Sequence, residues 1–63
     1  MKKKEFEKFI TNEFLQDKDV KKVHVCEVKK DVIERNFALQ KHENMLYTWD
    51  FYKGIVIVNY CKQ

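Results

Sequence analysis

His24, Cys26, His42 and Cys61 are the four side chains of this 63-residue chain best suited to hold a soft metal or to pair a nucleophile with a base. A structural zinc site draws its ligands from close pairs, typically about two to five residues apart. Here only His24 and Cys26 are close, as H-x-C, while His42 and Cys61 are scattered along the chain. Nucleophilic catalysis by Cys26 would need its histidine to be oriented by a third group, and nothing in the pattern supplies one. The two cysteines read as small, half-buried thiols, too few for a disulfide framework. No Ser is present, so a serine nucleophile is excluded. Phosphate-binding loops and dinucleotide folds need several glycines, and Gly54 stands alone. The acid pairs Glu5/Glu7 and Asp17/Asp19 lie among charged neighbours and read as solvated surface. The chemistry of the chain therefore points to a protein with no enzymatic activity, no cofactor and no metal.

The elements that position these residues follow from periodicity, because Pro is absent and Gly54 is the only Gly. Phe6, Phe9, Ile10 and Phe14 recur at the spacing of one helical face, which predicts a helix over Lys2–Gln16. Lys3 and Glu7 are an i,i+4 pair of opposite charge, and the leading lysines oppose the helix dipole, so the first turn should fray. From Val20 the pattern alternates. Val23 and Val25 fall on one side, His24, Cys26 and Val28 on the other, as in a β-strand. Residues 31–42 fit two readings. One is a helix with Asp31 as N-cap and Glu34 at N3. The other is a strand with Ile33, Arg35, Phe37, Leu39 and Lys41 on one face.

Cross-strand pairing favours the strand. A two-residue loop at Lys53–Gly54 sets Phe51 against Val56, Trp49 against Val58 and Tyr47 against Tyr60. A three-residue loop at His42–Asn44, with Asn44 in the left-handed region, would set Leu39 against Tyr47, Phe37 against Trp49 and Arg35 against Phe51. The expected fold is α+β. An N-terminal amphipathic helix packs on one face of a four-stranded antiparallel meander, in the order α-β-β-β-β, as a single domain over 1–63. In that arrangement Tyr47, Trp49 and Phe51 are core beneath the helix. The first and last strands are opposite edges, so Cys26 and Cys61 cannot meet. The other sheet face, with His24, Cys26, Ala38, Gln40, Thr48, Asp50, Tyr52, Ile57, Asn59 and Cys61, is mixed and open to solvent or a partner.

Composition narrows the function further. The net charge is +3, and the first thirty residues carry the excess. Lys2, Lys3, Lys4, Lys21, Lys22, Lys29 and Lys30 are the residues a nucleic-acid backbone would meet. The aromatic sheet motif of RNA-binding domains is absent. Tyr52, Ile55 and Ile57 form a small apolar group on the outer face, beside Asp50, Lys53 and His24, and these six are the candidate protein-binding residues. No apolar run approaches the roughly 20 residues of a membrane span, and no secretion signal is evident, which suggests the cytoplasm. In its shortness and its richness in Lys, Asn and aromatic residues, the composition resembles small accessory proteins of phages and mobile elements. That resemblance implies an inhibitor or regulator docking stoichiometrically on a host protein, such as a defence or nucleic-acid-processing enzyme. The alternatives are a nucleic-acid-binding protein using the lysines, and a structural homodimer formed through an edge strand.

Overall fold

The computed structural model describes residues 1–36 and 38–63. The expected pairing of Phe37 with Trp49 lies outside the described residues. The elements run α1 (Lys3–Leu15), β1 (Lys22–Glu27), α2 (Lys30–Ile33), β2 (Gln40–His42), β3 (Met45–Tyr52) and β4 (Ile55–Lys62). The fold is α+β, with the N-terminal helix and four strands the pattern predicts. The sheet is mixed, not an antiparallel meander: its order is β1-β4-β3-β2, and β1 runs parallel to β4. Alternation fixes which face a side chain takes but not which strand lies beside it. The physical reason for this order is the character of β4. Its "IVIVNYC" is the longest apolar β-branched run, and a meander would leave it as an exposed edge that invites aggregation. At the centre it buries Val56, Val58 and Tyr60 between neighbours.

The β3–β4 hairpin has the expected register, with Phe51 opposite Val56, Trp49 opposite Val58 and Tyr47 opposite Tyr60. Lys53 and Gly54 both have positive φ, 49° and 83°, as a two-residue hairpin loop of the favoured twist requires. Gly54 suits that position, and its close packing adds a second reason. A Cβ there would sit 3.3 Å from the Lys21 side chain and 3.4 Å from the Asp19 carbonyl oxygen.

Residues 31–42 combine parts of both readings and match neither. Lys30–Ile33 is one helical turn with Lys29, not Asp31, at its N-cap, and only Gln40–His42 is strand. The loop to β3 has two residues, Glu43 and Asn44. Glu43, not Asn44, takes the positive φ of 52°. Tyr47 therefore faces Gln40, not Leu39, and the expected pairing of Arg35 with Phe51 does not form. A slip of one residue exchanges faces. Gln40 moves to the helix side, and Leu39 packs with Ile33, Leu46, Cys61 and Val28 on the other.

Two layers cover the sheet unequally. On one face Phe6 and Ile10 of α1 are buried with Met45, Val56, Val58 and Tyr60. Phe6 meets the rings of Tyr47 and Tyr60 at 5.5 and 5.1 Å. The Tyr60 hydroxyl donates to Glu7 Oε2. Burial, and then the carboxylate it donates to, hold that phenol well above its ordinary pKa. Glu7 is thus taken by Tyr60. Lys3 reaches Glu27 of β1 at 2.7 Å, in place of the helix pair the spacing suggested. Glu5 accepts a hydrogen bond from the Lys2 amide at 3.2 Å, which ties down the first turn despite its lysines. On the other face the short α2 lays Ile33 over Leu46 and Cys61, at one end of the sheet only.

Trp49 and Phe51 are not core: they are 42% and 49% exposed. The reason is length. Thirteen helical residues span about 20 Å, whereas eight strand residues span about 26 Å. From its start beside Glu27, α1 reaches as far as Trp49, which Phe14 touches at a ring distance of 5.1 Å. The tip of the β3–β4 hairpin overhangs.

Candidate functional site

The uncovered end of the sheet holds two surfaces, back to back. The outer one follows from register. Lys22, Ile55 and Tyr52 align across β1, β4 and β3, and so do His24, Ile57 and Asp50 in the next row. All six side chains share one face. In the following row Thr48 is already buried, and beyond it α2 closes the face. Tyr52 is 70% exposed, with the Lys53 ammonium 5.3 Å from its ring centre, and Ile55 and Ile57 are exposed beside it. The structure therefore gathers Tyr52, Asp50, Ile55, Ile57 and His24 on one patch, with Lys53 at its turn. Lys22, assigned from sequence to phosphate contacts, belongs to the same patch.

The inner surface is a cleft of about 280 Å³ between the end of α1, the loop after it and the hairpin. Phe14, Val20, Trp49 and Phe51 form its apolar wall, with Val56 at the base. Asp17 and Asp19 line it as well. Local hydrogen bonds shape that loop. The Asp19 amide donates to Asp17 Oδ1 at 2.8 Å, and the Val20 amide to the Asp17 carbonyl at 3.0 Å. The Lys21 and Lys22 amides then dock on the Gly54 carbonyl at 2.7 and 3.2 Å. Sequence reasoning missed this cleft because it placed Trp49 and Phe51 under the helix and read Asp17 and Asp19 as plain surface. The available signal was "FLQDKD", with two acids three and five residues after the last Phe of the helix stripe.

The lysines do not form one basic face. Lys2, Lys3 and Lys4 at the start of α1, and Lys29 and Lys30 at the start of α2, lie toward the Glu27 end of β1. Lys21 and Lys22 lie at its opposite end, about 17 Å away for a six-residue strand. Lys3 is paired with Glu27, and Lys30 stands 3.8 Å from Glu34.

The residues suited to metal or nucleophile chemistry are also dispersed. His42 stacks on Phe9 at 4.2 Å, nearly parallel, with Glu43 3.7 Å from its Nε2. Cys26 and Cys61 lie on neighbouring strands and the same face, contrary to the expectation that opposite edges separate them. Both are free thiols. Cys26 is exposed, whereas burial pushes the Cys61 thiol up and away from the reactive thiolate. Among the described residues no group of three or more His, Cys, Asp or Glu side chains is placed to hold a metal ion. No described helix is long and apolar enough to cross a membrane. No protein-family model matches the chain, and neither curated proteins nor solved structures show a match to it.

Proposed function

We propose that this protein is a non-enzymatic binding module that docks stoichiometrically on a protein partner and inhibits or regulates it, in the manner of small phage or mobile-element accessory proteins. The observation that carries this reading is the outer patch. Tyr52, Ile55 and Ile57 are contiguous, exposed and apolar, and are edged by Asp50, His24 and Lys53. An apolar centre with an aromatic anchor and a polar rim is the usual anatomy of a protein interface. Tyr52, Ile55 and Ile57 belong to neither core cluster of the described residues. The division of the lysines between two ends of β1 supports a protein partner over a nucleic-acid backbone. The test is affinity capture with the native chain and with Tyr52→Ala and Ile57→Asp. A one-to-one complex that both substitutions abolish, with the fold intact by circular dichroism, supports the module. Nucleic-acid binding that weakens steeply with salt and ignores both substitutions contradicts it.

One further observation favours a homodimer as a second reading. Among the described residues β1 is paired only with β4, so its outer edge offers six residues for strand addition. Light scattering at high concentration tests this, and a clean monomer excludes an obligate dimer.

A further inference from the structure

We infer that the inner cleft is a receptor for an arginine side chain presented by the protein partner. The inference rests on the protein-binding reading above and adds a second contact point to it. Three aromatic residues, Phe14, Trp49 and Phe51, line one small cleft together with two acidic residues, Asp17 and Asp19. Aromatic faces attract cations through their quadrupole, Trp most strongly. Guanidinium is the cation that both stacks on rings and forks onto carboxylates. The volume, about 280 Å³, is below the roughly 300–1,000 Å³ of pockets that enclose a drug-sized ligand, and it suits one side chain entering from a surface.

Charge selects the occupant. Among the described residues neither Asp17 nor Asp19 forms an ion pair, although Lys18 and Lys21 are chain neighbours. Lys21 instead lays its aliphatic stem against Gly54. An apolar cleft lined by two acidic residues that no ion pair neutralises among the described residues repels a phosphate backbone. That turns the exposed rings away from base stacking, the use that exposed aromatics beside lysines would otherwise suggest. The cleft and the outer patch flank the same hairpin tip, with Phe51 on one side and Tyr52 on the other. A partner gripping this tip meets both.

Trp49 is the only tryptophan, so its indole N–H resonance reports the cleft alone. The probe is the capped peptide Ala-Arg-Ala, compared with the same peptide carrying citrulline, which keeps the shape and loses the charge. The arginine peptide should give a saturable shift of the Trp49 resonance, and the citrulline peptide should bind about tenfold more weakly. Asp17→Asn combined with Asp19→Asn should reproduce that loss. The carboxamide introduced at position 17 keeps an oxygen to accept the backbone N–H of residue 19, so the loop is preserved. Tyr52→Ala should leave the isotherm unchanged. Equal binding of both peptides, or no saturable shift into the tens of millimolar, overturns the assignment. The two proposals fail separately. A partner lost on Tyr52→Ala but bound normally by the doubly substituted variant removes the arginine site and keeps the module. Arginine-peptide binding in a protein that captures no partner keeps the cleft and removes the module.

Discussion

One end of the sheet is closed and the other is open, and the same residue types serve opposite purposes at the two ends. Tyr60, at the closed end, is buried under Phe6 and bonded to Glu7. Tyr52, at the open end, projects into solvent. At the closed end α1 and α2 clad both faces, and Met45, Leu46 and Cys61 disappear between them. At the open end Trp49 and Phe51 on one face, and Tyr52, Ile55 and Ile57 on the other, remain accessible. A chain this short buries only about 60% of its unfolded surface, so leaving five large apolar side chains outside the core is a substantial concession. The contrast separates residues that hold the fold from residues the fold displays.

The sharpest way to break that contrast is at Phe6, which is fully buried. Phe6→Ala should cost about 3–5 kcal/mol, enough to unfold a domain of this size, and urea denaturation followed by circular dichroism will show it. Next is the turn at the tip of the β3–β4 hairpin. Gly54→Ala places an L-residue at φ 83° and crowds Lys21. It should lose about 1–2 kcal/mol and, by displacing the Asp19 loop, alter the Trp49 fluorescence as well. Tyr60→Phe should cost about 1 kcal/mol and has a pH signature. The folded-state pKa is raised, so the folded chain keeps a proton that the unfolded chain loses above about pH 10. The associated stability is complete below that pH and declines as pH rises through it. Cys61 adds a decline of the same sign, since burial raises its thiol too. Tyr60→Phe should therefore flatten the alkaline loss measured by urea midpoints, and an unchanged slope would show that Tyr60 is not the source. The smallest effect is expected at the open end. Tyr52→Ala should change stability by no more than about 0.5 kcal/mol, and a larger loss would mean that the outer patch supports the fold.

Much of this architecture was legible from short-range pattern. The stripe of Phe6, Phe9, Ile10 and Phe14 defined α1, and Lys53–Gly54 set the register of β3 against β4. The outer patch followed, because alternation puts Tyr52, Ile55 and Ile57 on the face away from Val56 and Val58. What was not legible depended on distance and length. The parallel pairing of β1 with β4 joins segments about thirty residues apart, and no periodicity encodes it. Leu39 and Gln40 exchanged faces because Glu43 accepts a positive φ, which shortens the loop by one residue. Trp49 and Phe51 alternate like core residues, yet whether they are covered is decided by where α1 ends. That boundary also turned Asp17 and Asp19 from plain surface into the edge of a cleft.

The central claim, that the open end is displayed and not structural, meets its most direct test in urea denaturation of Trp49→Ala followed by circular dichroism. The half-exposed ring, which meets the ring of Phe14, predicts a loss of about 1–2 kcal/mol with the dependence on urea unchanged. A loss of about 3–5 kcal/mol, the cost of deleting a core aromatic, would contradict it and return Trp49 to the interior.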